Sequence, residues 1–239
     1  MVLRGVGDTF TAGYDLTQND EPFDQPYGAP DIETCDGAWD PVRDYGFMGN
    51  NVRRFISIWE CPKPVLVEVK GWAIGSATDL VLCCDLLYMA SDDHIGYVPS
   101  RIYGTPATML WVYRPGPGTC KTVPVDRESH DAATAYRIGL VSQVVEPDQL
   151  ADAIESEARR FASIPANQLA LNKMLINQAF ENMGLRTTQL LGTLFDGMTR
   201  YTEEAKQWVE PFADKGFREV IREQDKPWQD YGEKPQEDD

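Results

Sequence analysis

The chain has 239 residues, which suits one sizeable domain, and 42% of them are apolar, so a packed core is expected rather than general disorder. The formal net charge of −16 excludes nucleic acid or an anionic membrane surface as the main partner, because both bind basic protein surfaces. No stretch reaches the ~20 apolar residues of a membrane helix, and the N-terminus lacks the apolar run of a signal peptide. These features predict a soluble, cytoplasmic protein.

Cysteine and histidine usage restricts the chemistry further. The five cysteines, an odd number without a CxxC pair, indicate reduced thiols, and Cys83 and Cys84 are expected to be small core residues. His94 and His130 are too few for a zinc-finger or metalloprotease pattern. A serine hydrolase would need a pair such as His94 with Ser100, but no GxSxG turn is present.

In chain order, Met1–Leu3 is predicted to be the end of a strand. Residues 16–45 are rich in Pro, Gly and Asp and have no period, which predicts a lid that covers a pocket with Tyr27 and Trp39. Apolar residues at helical spacing then predict a helix over 47–60, which two following prolines end.

The next segment has the pattern of a strand, a helix and a strand with short connections, which predicts a βαβ unit. Its elements are 64–69, 76–84 and 86–90. Shorter elements follow, with strands at 94–98 and 140–145 and helices at 105–113, 132–138 and 147–164. Residues 115–130 show no period.

The chain is almost entirely helical from 167 to about 224. The predicted fold is therefore α/β, with a β-rich part followed by an α-helical part. We divide it into a core over 1–164, a helical region for oligomer contacts over 165–231, and an acidic, frayed tail over 232–239.

Two clusters of small residues each precede a carboxylate. In GWAIGSATDLVLCCD (71–85), small residues join two apolar elements ahead of Asp79, and DTFTAGYDL (8–16) has the same character ahead of Asp15. Small side chains let a ligand oxygen approach unpaired N–H groups, although tight helix-on-sheet packing also requires them. One N–H from each turn could converge on a carbonyl oxygen, as enolate chemistry on a thioester requires.

These stretches resemble the crotonase, or enoyl-CoA hydratase/isomerase, superfamily. FTAGYDL is similar to its first oxyanion segment and KPVLVEVKGWAIGSATDLVLCCDLLYMAS to its second. The resemblance continues through IGYVPSRIYGTP, AATAYRIGLVSQVVEPDQL and SIPANQLALNK, and it covers most of 1–175. It implies a crotonase-like ββα spiral with a helical C-terminal domain, assembled as a homotrimer or a dimer of trimers.

The resemblance also implies which residues form the site. The N–H groups of Ala12 and Ser76 would form an oxyanion hole for an acyl-CoA thioester. Asp79 takes the place of the family's first catalytic glutamate and Ser100 that of the second, or Arg101 if the alignment shifts by one. The substrate-binding residues that it implies are Gly13, Tyr14, Asp15, Gly75 and Ala77. No metal or redox cofactor is implied, since coenzyme A enters as part of the substrate.

Departures from the family pattern leave three functions open. Asp79 is a methylene shorter than glutamate and Ser100 cannot act as a carboxylic acid, whereas hydration uses two carboxylates. The alternatives to an enoyl-CoA hydratase/isomerase-type enzyme are an isomerase, decarboxylase or hydrolase with a single carboxylate, and an acyl-CoA-binding homologue without catalysis. Asp79 could also be a capped or solvated helix-start residue. The family's opening strands have no counterpart, and 115–130 lacks its apolar helix, which suggests truncation or remodelling.

Overall fold

A computed structural model describes residues 1–14, 40–76, 78–101, 104–116, 119, 129–215 and 217–228. The strands are β1 (Val2–Arg4), β2 (Leu66–Val69), β3 (Trp72–Ile74), β4 (Leu86–Ala90), β5 (His94–Gly96), β6 (Ser129–Asp131) and β7 (Gln143–Val145). The helices are α1 (Pro41–Trp59), α2 (Thr78–Leu82), α3 (Leu110–Tyr113), α4 (Ala132–Arg137), α5 (Leu150–Ala162), α6 (Ala166–Asn182), α7 (Leu185–Arg200), α8 (Glu203–Val209), α9 (Phe212–Lys215) and α10 (Phe217–Asp225). Among the residues described, no helix has both the length and the apolar character of a membrane span.

The first sheet is parallel throughout and has the strand order β1-β2-β4-β7. Leu66 lies opposite Leu86 in the register of β2 and β4, which confirms the predicted βαβ unit. β2 is almost continuously apolar and buried, because a parallel sheet is covered on both faces. Helix α5 packs against this sheet through Leu150 and Ile154.

A second sheet, with the order β3-β5-β6, lies beside the first. The chain crosses from the first sheet to the second after β1, β2 and β4, which is the predicted ββα spiral. Gly71 makes the crossing from β2 to β3 with a φ of +66°, and a Cβ there would lie 2.1 Å from the Asp8 carbonyl oxygen. The sequence did not predict β3, since its residues were interpreted as a turn that follows β2 directly.

Helix α1 begins earlier than predicted. The Asp40 side chain accepts hydrogen bonds from the N–H groups of Val42 and Arg43, and Pro41 occupies the first turn, so the helix starts at Pro41 rather than at residue 47. Residues 41–45 are thus helical and not part of a lid. Residues 15–39, with Tyr27 and Trp39, lie outside the described residues.

Two other boundaries differ from the prediction, because residues 104, 105 and 107 donate to side chains and residues 140–142 donate to the Ala135 and Leu87 carbonyl oxygens. Of the helix predicted over 105–113 only Leu110–Tyr113 is helical, and the strand predicted over 140–145 is limited to Gln143–Val145. Cys83 and Cys84 are fully buried in the core, as predicted. Residues 117–118 and 120–128 and the acidic tail lie outside the described residues.

Helices α6 and α7 bury several polar residues and expose several apolar ones, although Leu185 at the start of α7 is fully buried. On α6 the buried side chain is Lys173, whose Nζ donates to Asp85 Oδ2 at 2.7 Å. On α7 the buried residues include Gln189, Thr193 and Asp196. The exposed large apolar residues of the two helices are Leu171, Met174, Leu175, Ile176, Leu190, Leu191, Phe195 and Met198.

Candidate active site

Two turns of the chain, one after Phe10 and one after β3, lie against each other beside the second sheet. Thr11 N–H donates to the Trp72 carbonyl oxygen at 3.0 Å, and Ile74 N–H donates to the Thr11 carbonyl oxygen at 3.1 Å. This short parallel pairing aligns the two segments. The small residues that follow each segment therefore meet.

Glycines form the contact between the two turns. Gly13 has a φ of +101° and Gly75 a φ of +80°, both in the left-handed region that favours glycine. A Cβ on Gly75 would lie 2.9 Å from Gly13 Cα, closer than a side chain can come, and a Cβ on Gly13 would lie 3.8 Å from the Ser76 nitrogen. The close approach of two backbones requires both glycines and brings Ser76 beside the first turn.

The N–H groups at this contact are partly paired. Those of the two glycines donate to the Thr11 hydroxyl and to the Gly96 carbonyl oxygen, at 3.2 Å each. Those of Ala12 and Ser76 donate to no acceptor within the described part of the chain. Ala12 is exposed and Ser76 is half-buried.

Asp79 lies one helical turn beyond Ser76 and is only 1% exposed. Its Oδ1 accepts from the Thr108 hydroxyl at 2.5 Å and its Oδ2 from Ala107 N–H at 3.1 Å. Burial raises the pKa of Asp79 to about 7, against the opposing effect of these two hydrogen bonds. The interpretation as a solvated helix-start residue is wrong, since the carboxylate is buried and bonds across the fold. A carboxyl group with this pKa can both accept and release a proton near neutral pH.

Tyr14 extends from the first turn towards the same carboxylate. Its hydroxyl lies near the Ser76 side chain. Desolvation of the hydroxyl raises the pKa of Tyr14, and the carboxylates of Asp79 and Asp196 raise it further, although 41% of the residue is exposed. The Ser76 side chain lowers the pKa of Tyr14 slightly. The hydroxyl therefore stays protonated at neutral pH.

A buried cluster of charges lies behind Asp79. Arg200 at the end of α7 pairs with Asp196 on the same helix and with Asp44 on α1. Asp196 and Asp44 are 4% and 2% exposed, so solvent does not screen these charges. Burial by itself would lower the pKa of Arg200, but the two carboxylates outweigh this effect and raise it. Gly197 permits the close approach of α1, because a Cβ there would lie 1.7 Å from Asp44 Oδ2.

The residues at the position of the second glutamate make other contacts. The Ser100 hydroxyl donates to the Tyr97 carbonyl oxygen at 2.9 Å. Arg101 is buried, and its guanidinium pairs with Asp225 at 2.8 Å and lies 4.8 Å from the ring centre of Trp228. Arg101 is thus engaged with the C-terminal helices. His94 stacks on Trp72, with 4.4 Å between ring centres, and the Ser100 hydroxyl donates to Tyr97 rather than to His94.

Sequence reasoning missed the residues that surround Asp79. Asp15 and Ala77, both predicted to bind substrate, lie outside the described residues. Ala107, Thr108, Asp196 and Arg200 were not predicted. Asp196 stands between apolar residues in LLGTLFDGMTR, and that position was the one available signal.

Within the described ranges, no group of three or more His, Cys, Asp or Glu side chains is arranged to hold a metal ion. The polar groups at this place are the backbone donors of the two turns, the Asp79 carboxyl group and the Tyr14 hydroxyl.

Comparisons with known proteins identify relatives of this chain. The chain is 28% identical over 219 residues to crotonyl-CoA hydratase of Syntrophomonas wolfei, which covers 90% of this chain and 77% of that protein. It is 30% identical over 186 residues to 1,2-epoxyphenylacetyl-CoA isomerase of Escherichia coli, with 76% of this chain and 66% of that protein covered.

Solved structures show the same fold. The crystal structure of an enoyl-CoA hydratase from Mycobacterium smegmatis superposes with a TM-score of 0.86 at 34% identity, covering 95% of this chain and 77% of that one. The sequence profile described as enoyl-CoA hydratase/isomerase matches residues 1–219. The chain belongs to the enoyl-CoA hydratase/isomerase family and has the crotonase fold.

Proposed function

We propose that the protein is an acyl-CoA-processing enzyme that stabilises a thioester enolate. The N–H groups of Ala12 and Ser76 hold the thioester carbonyl oxygen, and Asp79 moves the proton. One observation carries this proposal: two glycine turns in backbone contact leave these N–H groups without a described acceptor, one helical turn before a buried carboxyl group with a pKa of about 7.

The chemistry follows from these groups. Ionised Asp79 takes the proton from the carbon next to the thioester, and the electron pair of that C–H bond moves to the carbonyl oxygen. The two N–H groups stabilise the resulting oxyanion, and each such donor contributes about 3 kcal/mol in comparable sites. Collapse of the enolate with return of the proton from Asp79, at the same or a conjugated carbon, completes the cycle without a resident cofactor. Gly13, Tyr14, Asp15, Gly75 and Ala77 line the acyl-CoA site in this proposal.

A single carboxylate favours isomerase-type chemistry over plain hydration. Ser100 donates its proton to a backbone carbonyl and supplies no second carboxyl group. Hydration needs one group to activate water and another to deliver a proton. The relative that is a 1,2-epoxyphenylacetyl-CoA isomerase supports this choice, and the crotonyl-CoA hydratase relative supports hydration. A hydratase remains the alternative activity, and a non-catalytic acyl-CoA-binding homologue is the alternative without activity.

We also propose that the protein forms a homo-oligomer, a trimer or a dimer of trimers, through its helical region. Met174 and Leu175 on α6 are 63% and 72% exposed, and Phe195 on α7 is 50% exposed. An exposed apolar face of this extent on packed helices is typical of an interface. A second copy of the chain would cover it.

Exchange of the acyl α-proton in D2O tests the proposed function without knowledge of the product. We expect a saturated acyl-CoA to exchange, at a rate that rises with pH through about 7, because Asp79 must be ionised. Asp79→Asn should abolish exchange and keep the fold, since an amide can accept from Ala107 N–H and donate to the Thr108 hydroxyl.

The matched control is Asp152→Asn on the exposed face of α5, which should exchange like the wild type. Parallel assays with crotonyl-CoA and a 3-enoyl-CoA separate hydratase from isomerase activity. Binding of CoA esters without exchange of any of them would establish the non-catalytic homologue. Undiminished exchange by Asp79→Asn would refute the role of Asp79.

A further inference from the structure

The buried face of α7 is attached to one irregular segment, Gly104–Thr108. Gly104 N–H donates to the Thr199 hydroxyl at 2.8 Å, and Thr105 N–H donates to Asp196 Oδ1 at 3.0 Å. The Thr105 hydroxyl donates to the Gly192 carbonyl oxygen at 2.9 Å. Polar side chains are required here because the segment has no strand or helix partner for its backbone groups.

A further bond attaches the end of the segment. The Gln189 amide donates to the Thr108 carbonyl oxygen at 3.1 Å, and Gln189 is only 4% exposed. Thr108 and its neighbour Ala107 are the two residues that donate to the Asp79 carboxylate. Helix α7 is therefore connected to Asp79 through a continuous set of hydrogen bonds, although it does not contact Asp79 by a bond of its own.

A charged residue of the same helix, Asp196, also affects Asp79 electrostatically. The Asp196 carboxylate raises the pKa of Asp79, whereas the hydrogen bonds from Thr108 and Ala107 lower it. The other titratable or charged groups that interact with Asp79 are Tyr14, Tyr97 at the end of β5, and Cys83 after α2, with Arg200 and Asp44 behind Asp196. Asp196 accepts one bond on each oxygen, from Thr105 N–H and from Arg200, as an ionised carboxylate does.

We propose that Gln189 and Asp196 are positioning residues for the proton transfer. Gln189 fixes the Gly104–Thr108 segment so that its two donors hold the Asp79 carboxylate, and Asp196 fixes the same segment and adds a negative charge behind it. The proposal rests on the proposed role of Asp79. It extends the site from the two turns to a helix in the C-terminal region.

The two residues act on Asp79 with opposite sign, which a merely structural role would not produce. Asp196→Asn keeps an oxygen for Thr105 N–H but removes the charge, so the pKa of Asp79 should fall. Gln189→Met has a similar size and lacks the amide donor, so the two hydrogen bonds to Asp79 loosen and its pKa should rise. Each shift is expected to be about one unit, which corresponds to a tenfold change in the protonation equilibrium.

An infrared titration measures this pKa without any substrate. The Asp79 carboxyl band is identified as the one that disappears in Asp79→Asn, and its midpoint is followed with pH in each variant. The acid limb of α-proton exchange should move with it, and kcat should fall with little change in KM. Gln178→Met and Asp152→Asn, both at exposed helix positions, are the matched controls and should leave the midpoint unchanged.

Unmoved midpoints in both variants, or shifts of the same sign, would overturn the proposal. If Asp196→Asn does not fold, the infrared midpoint of Asp79 in Gln189→Met is the test. An unmoved midpoint in that variant would contradict the proposal. If the infrared midpoint of Asp79 shifts in the variants but α-proton exchange does not depend on Asp79, the proposed function is refuted. The positioning roles of Gln189 and Asp196 would still stand. The two failures are therefore distinguishable.

Discussion

Helices α5 and α7 both have apolar residues at helical spacing, but α5 buries apolar side chains, whereas α7, apart from Leu185, buries mainly polar ones. On α5, Leu150 and Ile154 face the first sheet and are almost fully buried. On α7, Leu191 and Phe195 are exposed, while Asp196 is buried. The partner of each helix explains the difference. A sheet covered with apolar side chains selects an apolar face, whereas the irregular segment at 104–108 offers backbone N–H and carbonyl groups that need polar partners.

The comparison teaches that amphipathicity gives the period of a helix and not the direction of its buried face. On α5 the neighbouring sheet is apolar, so the apolar face of the helix packs into the core. On α7 the polar face is used internally for Asp79, so its apolar face is left for another surface. Three predictions test this reading, from the largest expected effect to the smallest.

The largest effect is expected on assembly. Leu175→Glu places a charge at the most exposed apolar position of α6 and should convert the proposed oligomer to monomers, because an unpaired charge would be buried at the proposed interface. Val42→Glu is the matched control, since Val42 is 74% exposed and isolated at the start of α1. Light scattering coupled to size exclusion measures the mass. If Leu175→Glu has the same mass as the wild type, α6 does not form the proposed interface.

The second effect concerns the free energy of unfolding of variants on the buried faces of α7 and α5. Asp196→Leu should destabilise the fold by about 3–5 kcal/mol, because Arg200 and Thr105 N–H lose a buried partner. Ile154→Ala on α5 should cost a similar amount, about 2–5 kcal/mol, for the opposite reason, the loss of apolar packing. Urea unfolding measures both. Greater stability of Asp196→Leu would show that α7 prefers an apolar inner face after all.

The smallest effect is the difference in stability between alanine substitutions at two helical glycines, Gly197 and Gly49. Gly197→Ala should cost about 1–3 kcal/mol, because its Cβ would lie 1.7 Å from Asp44 Oδ2 and the buried Asp44 carboxylate, which pairs with Arg200, would have to shift. Gly49→Ala on α1 should be neutral or stabilising by up to about 1 kcal/mol, since its nearest contact is 3.4 Å away and alanine favours helix. Unfolding curves compare the two variants. Equal costs would mean that helix propensity rather than close approach accounts for Gly197.

Much of the fold was readable from local patterns. The strands β2 and β4 and the helix between them were predicted close to their observed bounds, because apolar runs and small-residue turns are local signals. β3 was not predicted, since only three residues form it and its partner β5 lies twenty residues away. α1 began earlier than predicted because the cap at Asp40 was not recognised within a Pro- and Asp-rich stretch.

The candidate site was likewise predicted from the sequence only in part. The motifs identified the two small-residue turns and Asp79, since the residues within each motif are consecutive in the chain. The residues that hold and tune Asp79 come from 107–108 and from α7, which are distant in sequence. No local pattern signals such a contact, apart from a lone aspartate in an apolar helix.

The order of side chains along the chain by itself determined the family pattern, the βαβ unit and the small residues at the two turns, because each depends on neighbours in sequence. Only the tertiary structure decided that Gly13 contacts Gly75, that Asp79 is buried with a pKa of about 7, and that α7 turns its polar face inward. The physical reason is that burial and hydrogen-bond partners are properties of the packed chain, and the cost of leaving a buried polar group unpaired selects which face of each helix enters the interior.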